Sequence, residues 1–307
     1  MSESRYYLHG FSWGANLISE LTDTNPNTST QLVTGYSSGH PTPLFRAIMA
    51  QKPQVSFTCN AVAQILGLFN AGSNVHSLDM SAAVVDLGYR QGKNLSDRYG
   101  TGDASNEKLR LTQAMMVWDT IRAVHQQNAE IVCRILPAYN GTANPIINVG
   151  TGTLTGTPAA TQFFTLGPTY VNGVRLENEI DFTLASGVAL LQSGSAGEVW
   201  DRYIGVNNTD DVLTLTTHGK PWSAYGITGG AISANVVQYM RAKDPDGANE
   251  ADGTAAHVKI TATNGIIVPD GTTGAGNTPS QNTLTMSFRA ADGNSNALAF
   301  AVNQAIT

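Results

Sequence analysis

The chain has 307 residues and a mass of 32.4 kDa, a length that suits two ordinary domains. Hydrophobic residues reach 41 %, enough to fill real cores, yet charged residues reach only 13 %, about half the usual share, so much of the surface is expected to be covered by partners. The net charge is −6, with 10 basic and 10 acidic residues in 1–150 against 7 and 13 in 151–307, a balance that argues against gripping nucleic acid through its phosphates.

From the N-terminus, Met1-Ser2-Glu3-Ser4-Arg5 does not fit a signal peptide, and no run approaches the roughly 18 apolar residues of a membrane span. A chain made in the cytoplasm, with no membrane partner, is expected. Residues 54–59 alternate, with Val55, Phe57 and Cys59 on one face, and predict a strand. Asn60 can then cap a helix over 61–69, where Val62, Ile65, Leu66 and Phe69 form one stripe and Gly72 serves as the stop. Period-two segments at 109–118, 130–136, 180–191, 212–217, 258–263 and 283–288 predict further strands. A poorer second helix can start at Pro221, kept short by Gly226, Gly229 and Gly230. Residues 148–162, small and polar, read as a linker.

A linker near the midpoint invites a test for duplication. Val55–Cys59 aligns with Leu213–Thr217 at an offset of 158, which also places Ser37-Ser38-Gly39 on Ser195-Ala196-Gly197. Ala83-Val84-Val85 meets Asn235-Val236-Val237 at 152, and Leu109–Thr112 meets Val258–Thr261 at 149. Met116-Val117 and Asp119 meet Ile267-Val268 and Asp270, and the turn Asn140-Gly141 meets Asp292-Gly293. The blocks keep their order, so the expected organisation is a mainly β chain of two tandem copies, 1–155 and 156–307. Each copy is a β-sandwich or barrel with a short flanking helix and a long polar loop. The loops run from Arg90 to Lys108, with Lys93, Asp97, Arg98 and Asp103, and from Ala242 to His257, with Asp244, Asp246, Asn249, Glu250 and Asp252. Their presence in both halves suggests a shared task, such as reaching a neighbouring subunit.

Motifs for chemistry are absent. His9, His40, His76, His125, His218 and His257 show no metal-ligand spacing, and Cys59 and Cys133 read as two buried thiols. The glycines at 150, 152 and 156 lack a following Lys-Ser/Thr, so they are read as linker and not as a phosphate loop. Glu177, Glu179 and Asp181 alternate and would share one face of a strand, as a solvated row, a cation site or the lining of an acidic channel. No enzyme, cofactor or metal is expected.

The order of strand 54–59, helix 61–69, strand 81–89, loop 90–108 and strands 109–118 and 130–138, repeated from 212 to 306, resembles the tail tube proteins of long-tailed bacteriophages. In that family six β-sandwich or barrel domains pair their edges into a ring around a channel, each with a helix on its flank and a long loop reaching the next ring. A duplicated chain resembles the subgroup in which three two-domain subunits make one pseudo-sixfold ring. The resemblance implies a virion protein of the tail whose partners are its own copies, other tail proteins and double-stranded DNA that passes without sequence-specific binding. It also implies that the two loops are the inter-ring contacts and that the acidic row faces the lumen. A head-decoration or neck protein, or a carbohydrate-binding module, is the alternative.

Overall fold

The computed structural model describes residues 5–307 apart from 40, 72–73, 81–84, 94–96, 112, 143, 155, 157–161, 245, 277 and 293–294. His40, the helix stop Gly72, the aligned Ala83 and Val84, the turn residue Gly293 and part of the linker therefore lie outside the described residues. The chain is mainly β, and its strand ladders are antiparallel, with one isolated parallel bridge between Gln51 and Trp200. Its first half runs β1 (Tyr6–Trp13), β2 (Asn16–Ile18), β3 (Leu21–Tyr36), β4 (Pro43–Cys59), α1 (Val62–Ala71), β5 (Ser77–Met80), β6 (Val85–Gln91), β7 (Glu107–Leu111), β8 (Ala114–Val124), β9 (Glu130–Pro137) and β10 (Ile146–Thr151). The second half runs β11 (Phe163–Val171), β12 (Val174–Arg175), β13 (Glu179–Ala185), β14 (Ala189–Ser193), β15 (Tyr203–Asn208), β16 (Val212–His218), a 3-10 turn (Trp222–Tyr225), β17 (Gly230–Ala231), β18 (Val236–Lys243), β19 (His257–Ala262), β20 (Gly265–Ala275), β21 (Thr278–Phe288) and β22 (Leu298–Gln304).

Two five-stranded sheets, β10-β7-β6-β1-β2 and β22-β19-β18-β11-β12, have the same order, and both pack on one ten-stranded sheet. That sheet runs β17-β20-β21-β16-β13-β8-β9-β4-β3, with β5 also on β8. Register positions correspond closely between the halves. Val55 pairs Ile135 as Leu213 pairs Met286, and Met116 pairs Ile135 as Ile267 pairs Met286. The separation is 158 through β4 and β16 and 151 at β9 and β21. The shorter second connection accounts for the change: α1 is replaced by a single 3-10 turn that ends at Gly226, φ +74°.

Alternation explains the sandwich. In β4, β9, β16 and β21 every second side chain enters a common core, where Phe11 meets Phe57 with ring centroids 4.6 Å apart. α1 buries Val62, Ile65, Leu66 and Phe69 and lies against β22 of the other half. Trp118 on β8 is fully buried at the meeting of the halves. Its indole N–H donates to the Val75 carbonyl at 2.8 Å, and its ring stacks on His76 and meets the edge of Phe300.

Several expected elements divide differently. Residues 109–118 are two strands, broken where Gln113 takes φ +49°. Residues 180–191 are also two, and the break is at Gly187, φ +53°, where a Cβ would stand 2.6 Å from the Asp210 carbonyl. The N-terminal part of the linker, up to Thr151, belongs to β10, and Leu154 is buried with its N–H bonded to Thr101 O. The second helix is only the 3-10 turn.

Cys59 and Cys133 are free and buried, and burial pushes the Cys59 thiol up to about 12 and raises Cys133 as well. Neither thiol should react with a disulfide reagent at pH 8 in the native protein, and both should react after unfolding in guanidinium. Trp118→Ala should lower the unfolding free energy by roughly 3–5 kcal/mol in a denaturant titration.

Candidate functional site

The two halves of the ten-stranded sheet meet at one ladder. β13 of the second half pairs with β8 of the first over Asp181↔Val124, Phe182↔Ala123, Thr183↔Arg122, Leu184↔Ile121 and Ala185↔Thr120. Side chains reinforce the joint: Ser186 Oγ donates to Trp118 O at 2.7 Å, Ser186 N–H to Asp119 O at 2.9 Å, and buried His76 Nε2 meets the Asp211 carboxylate at 2.8 Å.

The same two edges recur, unpaired, at the ends of the sheet. β3 holds the position in the first half that β13 holds in the second, since Asn27 pairs Gln54 as Ala185 pairs Val212. β20 likewise matches β8. Its 266–267 stretch takes β17 as 115–116 of β8 takes β5. Among the described residues the outer edge of β3 and the 271–275 edge of β20 have no strand partner. Exposed sheet edges of this kind template further pairing.

Beyond Asn27, β3 and β4 leave the sheet as a paired hairpin that extends roughly 35–40 Å. It is apolar and exposed: Leu32 is 60 % exposed, Leu44 68 % and Phe45 58 %, with Ile48 and Met49 beside them. Residues 26–52 include Arg46 and Lys52 and no carboxylate. Of this hairpin, sequence analysis found only the tip at Ser37-Ser38-Gly39. The signal that could have found the rest is the pair of apolar clusters, 32–33 and 44–49, placed symmetrically about that tip.

The described residues of the two polar loops fold back onto their own sheets. In the first, Arg90 donates to Tyr99 O at 2.6 and 2.9 Å, and Tyr99 N–H returns to Gln91 O. Lys93 N–H donates to Asp97 O, Lys93 pairs with Asp97 at 3.9 Å, and the Arg98 guanidinium lies 4.2 Å over the Tyr7 ring. Fully buried Asn106 donates to the carbonyls of Gly100 and Asp103 and accepts from Gln91 N–H. Asp103 is held below the usual carboxylate range by the Ser105 N–H. The second loop folds in the same way. Asp244 N–H donates to Ala248 O, Lys243 bridges Asn249, Glu250 N–H donates to Ala242 O, and Arg241 bonds Asp252. Asp246 sits in the exposed turn between them. Buried His257 takes the place of Asn106. It accepts from Ala242 N–H on Nδ1, which puts its proton on Nε2, facing Ala251 O at 3.0 Å. The described residues of both loops are bonded back to their own sheets, whereas the β3–β4 hairpin extends beyond its sheet.

The expected acidic row does not form. Glu177 precedes β13 and pairs with Lys220 at 3.6 Å, and a bulge between Glu179 and Asp181 breaks their alternation. Asp181 faces outward and bonds Arg122 at 3.2 Å. It belongs to a broad outward face of the ten-stranded sheet rich in hydroxyls: Ser56, Thr58, Thr120, Thr183, Thr214, Thr216, Thr283 and Thr285. Both arginines of this face are neutralised, Arg134 by Asp119 at 2.6–2.9 Å and Arg122 by Asp181 and Glu130.

Glu179 turns the other way, into a cleft of about 580 Å³ lined by His125, Arg175, Glu177 and Arg241. Thr169 N–H donates to its Oε1 at 2.8 Å, while Thr169 Oγ1 lies 2.5 Å from its Oε2 and also bonds Gln238 Oε1. One hydroxyl proton cannot serve two acceptors, so the chain is complete when Glu179 is protonated and donates to Thr169, which donates to Gln238. Burial pushes this carboxyl up to about 7, against the opposing pull of the Thr169 bonds and Arg175. Among the described residues no three His, Cys, Asp or Glu side chains gather to hold a metal, and no helix is long and apolar enough to cross a membrane.

Because the folded pKa of Glu179 lies above the unfolded one, its stabilising contribution is full below about 4.5 and is lost as pH rises through about 7. Glu179→Gln, whose amide can donate to Thr169, should therefore flatten the fall in melting temperature between pH 5 and 8, raising stability at pH 8 by roughly 1–3 kcal/mol. An unchanged pH profile would place the proton elsewhere. In comparisons with known proteins, no family model matches the chain and no curated protein matches it.

Proposed function

We propose that the chain is a self-assembling structural protein whose two halves are copies of one domain and whose copies join head to tail into rings. The observation that carries the reading is the β13–β8 ladder, flanked at the two ends of the same sheet by an open β3 edge and an open β20 edge in matching positions. Repeating the internal joint between chains pairs β3 of one copy with β20 of the next. Such a contact is heterologous, and it closes into a ring when the rotation per joint divides the circle. Closure then satisfies both open edges of the ten-stranded sheet, as it does in a barrel.

The likeness in element order to phage tail tube proteins supports the finer form: three chains per ring, stacked rings, and a virion tail tube through which double-stranded DNA passes. The outward face of the ten-stranded sheet suits a channel wall. Its Arg122 and Arg134 are bound to carboxylates, and Asp23, Asp119, Glu130, Asp181 and Asp270 outnumber them, so DNA phosphates meet hydroxyls and net negative charge. Other tail proteins would cap such a tube.

Negative-stain electron microscopy over a concentration series should show rings and hollow stacked tubes. Asn25 and Thr273 occupy the register positions of Thr183 and Arg122, which pair across the internal joint. A chain carrying both Asn25→Cys and Thr273→Cys should therefore oxidise to a covalent three-chain species on a non-reducing gel. A monomer at every concentration, with no cross-link, would overturn the reading.

A further inference from the structure

The projecting hairpin has a counterpart inside the same chain that is already docked. Asn27 pairs Gln54 and Ala185 pairs Val212, so each half holds a hairpin of the 26 residues between, 28–53 and 186–211. Leu32 pairs Ile48 as Leu190 pairs Val206, and in both hairpins the register shifts just before the leucine. The tips coincide too, Gly39 with φ +80° and Gly197 with φ +82°.

Their surroundings differ. The hairpin of β14 and β15 bends at Gly187 and folds onto the outward face of the first half. There Leu190, Ile204 and Val206 pack on Met115, Val117 and Leu136, which are at most 7 % exposed. The hairpin of β3 and β4 continues outward instead, with Leu32 60 % and Ile48 46 % exposed. The positions in the second half that match Met115 and Val117 are Ile266 and Val268, since Met115 pairs Leu136 as Ile266 pairs Ser287. Both are bare, at 54 % and 47 %. One chain thus displays an apolar hairpin with no seat and an apolar seat with no hairpin, each the register match of a contact made internally.

We infer that Leu32 and Ile48 of one copy dock on Ile266 and Val268 of the next copy, in the geometry by which β14–β15 covers Met115 and Val117. The inference rests on the head-to-tail ring proposed above and adds a second contact to it. The occupant is specified by the chain: a hairpin of matching length, bulge and tip, cationic at Arg46 because Lys52 at its base already pairs with Asp201 of the same chain, meets a half that carries the surplus acid, including Asp270 beside the seat. The hairpin bridges the joint and holds the neighbour by apolar burial where β3 holds it by backbone pairing.

Single-cysteine variants L32C and I48C, each mixed with I266C or V268C under mild oxidation, should yield mixed covalent dimers. Linked peptides would be identified by mass spectrometry, and the yield compared with mixtures containing V174C, which is also exposed, at 41 %, but on β12. The native thiols are buried and stay out of the reaction. Links at this seat above the V174C level support the docking whether or not N25C and T273C also link. Links between N25C and T273C without links at the seat overturn the docking and leave the ring standing. No links at either place overturn both. Since Ile266 and Val268 are exposed in the single chain, I266D/V268D should fold normally yet need about tenfold more protein to assemble. Unchanged assembly of that variant would also overturn the docking.

Discussion

Everything in this architecture follows from where one short ladder lies. Five residue pairs between β13 and β8 fuse what would be two four- or five-stranded sheets into one of ten strands. A β edge cannot be left bare without consequence, because each unpaired N–H and C=O solicits a partner. In the ten-stranded sheet the chain meets that demand once internally and, among the described residues, leaves it unmet at both ends. The buried surroundings of the ladder show how such a joint is made permanent: Trp118 fills the corner and fixes Val75, and His76 and Asp211 pair out of solvent. The register matches of His76 and Asp211 at the outer ends are Thr228 and Pro53, so a joint between copies would lack that pair.

Much of the fold was legible because burial alternates. The strand at 54–59, the helix stripe from Val62 to Phe69 and the strand at 212–217 each bury the residues that periodicity selects. Register was less legible, for a reason internal to β-structure. Leu109–Thr112 aligned with Val258–Thr261, but the sheets match Leu109 with Ile260, two residues on. A slip of two preserves which face each residue occupies, so alternation cannot detect it. The aligned run Ala83-Val84-Val85 is apolar at every position and does not alternate, so a slip of one passes unnoticed: Val85 matches Val236, not Val237.

The candidate site was harder to read, because its parts depend on breaks in pattern. A bulge at β13 separated Glu179 from Asp181, sending one carboxylate inward to Thr169 and the other outward to Arg122. Loop composition announced polarity at 90–108 and 242–257, but whether a polar loop reaches out or folds back is decided by a single buried residue, Asn106 in one and His257 in the other. The hairpin of β3 and β4 hid behind Pro26, Pro41, Pro43 and Pro53, residues that ordinarily argue against a long strand yet are tolerated at an edge.

The short stretch of chain between β10 and β11 has a consequence for how an assembly would come apart. It tethers the two halves at an effective concentration in the millimolar range, whatever the amount of protein in solution. Only the contacts between separate chains then respond to dilution. A ring built this way opens at every second joint, and shedding a lone domain would require unfolding, so the smallest diffusing piece already contains one finished copy of the interface it is about to make.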